Sequence, residues 1–126
     1  MKKFFIFISL TSFFFVWSSP VQSAEITHTH TGILIEGEIE RGDYEKVEQI
    51  LRSKGPSWGA LYLASPGGDL VEAMKIGKLA RKLFLTVHAP GWLFKKKLKT
   101  PTNAVCASAC FFIYAGAVSR TGTKIG

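Results

Sequence analysis

The 126-residue chain has only two cysteines, and it has no acidic residue after Glu72. Two cysteines cannot build a disulfide-dense miniprotein, and a hydrophobic content of 47% excludes an intrinsically disordered chain. The length excludes more than one domain of ordinary size. The sequence also lacks internal repeats and low-complexity tracts. It is therefore predicted to form one small globular module.

The first residues follow the order of a secretory signal peptide. Lys2 and Lys3 give a positive start, and residues 4–17 form an uncharged apolar run that small and turn-forming residues follow. The run is shorter than the roughly 20 residues that a membrane-spanning helix needs. We expect cleavage after Ser23, so that residues 24–126 form a secreted or periplasmic domain. The alternative is an uncleaved membrane anchor.

The C-terminal half of the chain is strongly basic. Residues 73–126 contain ten Lys or Arg residues and no acid. Such a surface can face an acidic protein, anionic lipid or nucleic acid. Because an exported protein meets little nucleic acid, we expect a protein or lipid partner. Lys95, Lys96 and Lys97 lie in an aromatic loop that could contact an anionic membrane surface, although a solvated loop is the usual explanation.

Apolar patterning along residues 24–126 predicts an α/β fold. The predicted elements are, in order, one or two short strands over residues 32–39, a helix from Asp43 to Gly55-Pro56, a buried strand over residues 59–64, a helix that begins at Asp69, a strand over residues 85–88 and an apolar helix after Ser108. A strand, a helix and a second strand within about 30 residues form a parallel βαβ crossover.

The helix that begins at Asp69 is predicted to be amphipathic. Asp69 and Glu72 resemble a capping box at its start. Lysines occupy one face. The residues predicted to form the opposite, buried face are Leu70, Ala73, Met74, Gly77, Ala80 and Phe84.

Ser65-Pro66-Gly67-Gly68 links a predicted strand directly to this helix. Consecutive glycines allow a tight turn and leave backbone N–H groups exposed at a helix N-terminus, where an anion or a developing oxyanion can bind. The same residues also form ordinary strand-to-helix connections, so they do not define a function alone.

Ser108 lies between two alanines at the predicted start of an apolar helix. An unobstructed serine near the positive end of a helix has the properties of a nucleophile. The alternative is a buried serine that caps the helix. Cys106 and Cys110 flank it. In an oxidising compartment they could form a disulfide that braces the turn, and the alternative is two free buried thiols.

The two motifs occur in an order that resembles the ClpP/crotonase superfamily. The residues that carry the resemblance are LYLASPGGDLVEAMKIGKLARKL, then TV, then AVCASACFFIYAGAVSR, and finally KIG. Over residues 33–126 the sequence is most similar to exported Clp-protease-like proteins of bacteria. The resemblance implies a stack of ββα units, ring oligomers, and peptide-bond hydrolysis through an acyl-enzyme.

The resemblance also implies roles for individual residues. Ser108 would be the nucleophile, and the N–H groups of Gly68 and Ala109 would form the oxyanion hole. The family's general-base histidine follows the strand that Lys124 begins, its aspartate comes later, and the lysine base of related signal-peptide peptidases also lies beyond the serine. The sequence ends before these positions, so residues 24–126 are expected to be the N-terminal portion of such a domain.

The chain contains three histidines. His88 ends a predicted strand and is a candidate substitute base. His28 and His30 lie in a Thr-rich stretch that is expected to be mobile and solvated, and the alternative is that they hold a metal ion. We expect no metal and no cofactor.

The sequence therefore favours an exported Clp-like serine hydrolase that forms a homo-oligomer and acts on a peptide or protein substrate. One alternative is a catalytically inactive ClpP-like binding module, suggested by the missing base and the basic half. The other alternative is a truncated gene product.

Overall fold

The computed structural model describes residues 23–54, 59–91 and 104–126. Residues 1–22 of the signal peptide predicted at residues 1–23, and the basic loop with Lys95, Lys96 and Lys97, lie outside the described residues. None of the helices in the described ranges is both long enough and apolar enough to span a bilayer.

The predicted α/β class is confirmed: the described residues form a mixed five-stranded sheet and three helices. The strands lie in the order in which they occur in the sequence: β1 (Glu25–His28), β2 (Gly32–Glu36), β3 (Ala60–Ala64), β4 (Thr86–His88) and β5 (Ser119–Thr121). β1 pairs antiparallel with β2, and every later pair is parallel. The described helices are α1 (Asp43–Lys54), α2 (Leu70–Lys82) and α3 (Ala109–Gly116).

The three helices share one hydrophobic core with one face of the sheet. Alternate strand residues point to opposite faces. The sheet residues in this core are Ile33, Ile35, Leu61, Leu63 and Val87. Leu34 and Tyr62 belong to a second, smaller cluster on the opposite face. The carboxyl ends of β3 and β4 and the start of α3 therefore contribute to the same hydrophobic core.

The predicted mobility of the Thr-rich N-terminal stretch is wrong for His28. His28 is the last residue of β1 and pairs with Ile33. Ile26 of the same strand pairs with Ile35 and packs against the core. Burial of this isoleucine orders the strand, although the surrounding threonines and histidines are polar.

α2 and α3 approach each other through glycine. A Cβ atom on Gly116 would lie 2.9 Å from Gly77, and one on Gly77 would lie 2.7 Å from the carbonyl oxygen of Phe112. Side chains at these positions would force the helices apart. The close contact holds α3 against α2 from Phe112 to Gly116.

The buried face of α2 differs from the predicted one. Ala73, Gly77 and Ala80 are buried, as predicted, together with Ile76 and Leu79. Leu70, Met74 and Phe84 are exposed, at 46%, 43% and 77% of their surface. The core stripe of α2 is therefore rotated toward Ile76, and the apolar residues on its other side remain at the surface.

Glu72 joins the starts of α1 and α2. Asp69 accepts a hydrogen bond from the Glu72 N–H at 2.8 Å, as the predicted capping box requires. The Glu72 carboxylate, however, accepts from the N–H groups of Gly42 and Tyr44 at 3.1 and 2.8 Å. The side chain of Asp43, the first residue of α1, accepts from the Glu40 N–H at 2.8 Å.

The pKa of Glu72 reflects this setting. Burial alone would raise it, but the hydrogen bonds from Tyr44 and Gly42 and the charge of Lys75 outweigh burial, so the pKa lies below the ordinary value of 4.5. A carboxylate with a depressed folded-state pKa stabilises the fold above the unfolded-state pKa. That contribution is lost as the pH falls through the folded-state value.

We predict that Glu72→Gln destabilises the protein by about 1.5–3 kcal/mol near neutral pH, because two backbone N–H groups lose a charged acceptor. Urea denaturation measures the change. The variant should also lose less stability than wild type as the pH falls below 4.5. Glu25→Gln, at an exposed position on β1 away from both helix starts, is the control and should behave as wild type. Equal pH dependence in wild type and Glu72→Gln would contradict the assignment.

Candidate functional site

A short ladder at the carboxyl end of the sheet brings the two sequence motifs together. Ser65 pairs with Cys106 in a parallel bridge, and Cys106 pairs with Ile125 on its other side. The Ala107 N–H donates to the Ser65 carbonyl at 3.0 Å. Ile39 pairs with Gly68. The turn at residues 65–68 is therefore held between the chain after β2 and the chain before α3.

The turn at residues 65–68 has a fixed hydrogen-bond pattern. The Ser65 hydroxyl accepts from the Gly67 N–H and donates to the Gly67 carbonyl, each at 3.1 Å. The Ile39 N–H donates to the Gly67 carbonyl, and the Asp69 N–H donates to the Ile39 carbonyl, each at 2.8 Å. In such a parallel bridge the intervening residue, Gly68, does not use its own N–H to bond Ile39.

Both glycines of the turn are required by geometry. Gly67 and Gly68 have φ values of 127° and 128°, which side-chain-bearing residues rarely adopt. A Cβ on Gly68 would lie 2.2 Å from the Ile39 carbonyl oxygen. A Cβ on Gly67 would lie 2.9 Å from Ser108 Cβ and 3.2 Å from Ser108 Oγ. The turn thus packs directly beside Ser108.

Ser108 is strained and exposed. It has φ 53° and ψ −123°, a backbone conformation that is uncommon for a residue with a side chain. It occupies the N-cap position of α3, but its side chain makes no capping hydrogen bond. The alternative of a buried capping serine is therefore wrong. A strained serine between an extended segment and a helix is the geometry that presents a nucleophilic hydroxyl in hydrolases.

Two backbone N–H groups next in sequence to Gly67 and Ser108 belong to this region. Within residues 23–54, 59–91 and 104–126, no group accepts a hydrogen bond from the N–H of Gly68 or of Ala109. Ala109 is the first residue of α3, where the helix dipole is positive. The Gly67 N–H, in contrast, is already bonded to Ser65. The arrangement can therefore offer Gly68 and Ala109 as donors to an oxyanion near Ser108.

A disulfide encloses the strained serine. The sulfurs of Cys106 and Cys110 are bonded, both residues are fully buried, and their Cα atoms lie 5.2 Å apart. The covalent ring therefore contains Ser108 and its two alanine neighbours. The backbone of Cys106 is also hydrogen-bonded to Lys124 and Gly126. The disulfide and these hydrogen bonds of Cys106 together restrict the backbone around Ser108.

His88 is not brought to Ser108. Val87 belongs to the core that the helices cover, so the next residue of β4 points to the opposite face of the sheet. There the His88 ring stacks on Tyr62, with ring centroids 4.9 Å apart, and its Nδ1 is hydrogen-bonded to Thr121. Burial lowers the pKa of His88, which favours the neutral ring.

Sequence reasoning missed the row of residues that holds this histidine. Tyr62, His88 and Thr121 are in register across β3, β4 and β5, and the Tyr62 hydroxyl is bonded to Thr31. The alternation of Leu61, Tyr62 and Leu63 could have placed Tyr62 on the second face. The part played by Thr121 could not be found without β5, which the apolar pattern does not mark.

Within the described residues, no three His, Cys, Asp or Glu side chains are grouped so that they could hold a metal ion. Comparisons with protein-family models, with curated proteins and with solved structures found no match to this chain. The assignment of chemistry to this site therefore depends on its geometry.

We predict that Gly68→Ala destabilises the fold by about 1–3 kcal/mol or more, because alanine would have an unfavourable φ and its Cβ would clash with Ile39. Gly59→Ala is the matched control, since a Cβ there meets nothing within 4 Å. Urea denaturation of both variants measures the difference. Equal stabilities would show that the turn does not have this conformation.

We also predict that the Cys106→Ser/Cys110→Ser double variant lowers the thermal unfolding temperature, since loss of a disulfide generally destabilises a small domain. Because the ring holds Ser108 in a strained conformation, the exchange rate of the Ser108 and Phe111 amides, which donate to the carbonyls of Gly126 and Ser108, should rise more than that of α1 amides. Hydrogen exchange measures both effects. A uniform rise across the chain would contradict local bracing.

Proposed function

We propose that the protein is an exported serine hydrolase of the Clp-peptidase type, with Ser108 as its nucleophile. The observation that carries the proposal is the position of Ser108. It is an exposed, strained serine without a capping bond, beside a glycine turn and two unused backbone donors. The resemblance of residues 33–126 to the ClpP/crotonase superfamily gives the same residues the same roles.

The proposed reaction begins with attack of Ser108 Oγ on a peptide carbonyl carbon. The hydroxyl proton passes to a general base as the C–O bond forms, and the carbonyl oxygen becomes an oxyanion. The N–H groups of Gly68 and Ala109 donate to this oxygen. Return of the proton to the leaving amine breaks the C–N bond and leaves an acyl-enzyme. Water then hydrolyses the ester and restores Ser108.

The general base is the part of the proposal that the described residues do not supply. No side chain in the described ranges hydrogen-bonds Ser108 Oγ, and His88 lies on the far face of the sheet. The proposal assigns this role to a group outside those ranges or on a second copy of the chain. Homo-oligomerisation and export of residues 24–126 belong to the same proposal.

The second candidate function is a binding module that has the site geometry without catalysis. The lack of a base beside Ser108 within the described residues favours it. In that case the Gly68 and Ala109 donors would hold an anionic group, such as a peptide carboxylate, and Ser108 would not form a covalent bond.

The two candidates differ in their reaction with a fluorophosphonate probe. For a hydrolase, we expect the full-length protein purified from its native host to be labelled covalently and Ser108→Ala to reduce labelling at least about 100-fold, because the only proposed nucleophilic oxygen is removed. Intact mass spectrometry measures the adduct. Ser119→Ala, which removes an exposed hydroxyl on β5, is the matched control and should be labelled as wild type.

A folded wild-type protein that the probe does not label would contradict the hydrolase and favour the binding module. Labelling that persists in Ser108→Ala would show that another residue is the nucleophile. The urea denaturation curve of each variant establishes that it is folded.

A further inference from the structure

The starts of α2 and α3 expose several large apolar side chains. Leu70 and Met74 on α2 are 46% and 43% exposed, and Phe111 and Phe112 on α3 are 42% and 44% exposed. Scattered apolar residues are ordinary on a protein surface, but these belong to two helices in direct contact. The surface formed by α2 and α3 is therefore apolar at its N-terminal end.

A groove of about 270 Å³ lies between these helices. Its floor is the glycine contact of Gly77 and Gly116, and its walls include Met74 and Phe112. Because neither glycine has a side chain, the two helices approach closely along this floor. We call it the α2–α3 groove. Its volume and lining suit a large apolar side chain.

The other end of the α2–α3 groove is basic. Lys78 and Arg81 line it, and both are exposed. Within the described residues, neither forms an ion pair. The only acid of α2, Glu72, is buried and bonded to the start of α1. Glu45 and Glu48 lie near Lys78 only on the side that faces α1.

We propose that the α2–α3 groove binds a peptide segment that carries an apolar side chain next to acidic residues. The apolar side chain would pack between Met74 and Phe112, and the carboxylates would pair with Lys78 and Arg81. Charge complementarity selects an acidic partner, and a groove between two helices receives a protruding side chain better than the flat surface of a bilayer. The proposal involves no atom of Ser108, so its test is independent of the proposed hydrolase activity.

The position of the groove makes such binding relevant to the site. α2 begins two residues after Gly68, and α3 begins directly after Ser108. A segment bound along the groove would therefore lie on the two helices that hold the site. The segment that binds the groove is distinct from the peptide bond that Ser108 would attack.

The test uses fluorescence anisotropy with a fluorescein-labelled peptide that contains Phe-Leu followed by three Glu residues. One comparison peptide has Gln in place of each Glu, and another has Ser in place of Phe and Leu. We expect the acidic apolar peptide to bind most tightly. Lys78→Gln/Arg81→Gln should weaken its binding about threefold to tenfold, which is the range expected of two exposed ion pairs.

Matched variants separate the groove from general charge and hydrophobicity. Arg41→Gln removes an exposed cation outside the groove, and Val118→Ser removes an apolar side chain that is 53% exposed elsewhere. Both should bind as wild type, whereas Phe112→Ser should weaken binding. Ser108→Ala should also bind as wild type.

Three results would overturn the proposal. The first is equal binding of the acidic and Gln peptides, and the second is wild-type affinity in Lys78→Gln/Arg81→Gln. The third is that phosphatidylglycerol vesicles bind more tightly than the peptide and that their binding also depends on Lys78 and Arg81. The last result would identify the surface as a lipid contact. Failure of fluorophosphonate labelling would leave the proposal intact, because binding is measured without catalysis.

Discussion

The pairing of Ser65 with Cys106 is the interaction on which the site depends. It places the chain before α3 beside the turn that leads into α2, and the Ala107 N–H completes it with a bond to the Ser65 carbonyl. The glycine contact between α2 and α3 then holds these two helices close together. Without this pairing, Ser108 and Gly68 would belong to distant parts of the sequence with no common surface.

The fold restrains its strained residues with local bonds, and among the described residues it leaves the N–H groups of Gly68 and Ala109 without an acceptor. The Ser65 hydroxyl, the disulfide and the ladder to Lys124 and Gly126 restrict the backbone around Ser108. Glu72 does the same for the start of α1. Strain that is held in this way is a common property of functional sites. The unused donors and the exposed hydroxyl occur at the same place, which is why we assign function there.

The sequence allowed much of the fold to be predicted, because hydrophobic periodicity and turn residues act locally. The strand at 60–64, the glycine turn and the start of α3 all follow from such signals. The failures were non-local. β1 is held by its pairing with β2 and by one partly buried isoleucine, Glu72 bonds to another helix, and the exposed face of α2 depends on which side α3 covers. The distance between Gly67 and Ser108 likewise required the packed structure.

The most direct test of this account is a crystal structure of the protein with a peptide boronic acid, which binds serine hydrolase sites as a tetrahedral adduct. The account predicts a bond from boron to Ser108 Oγ and one boronate oxygen within about 2.7–3.1 Å of the Gly68 and Ala109 nitrogens. A boronate that binds elsewhere, or whose oxygens all point away from these two N–H groups, would contradict it.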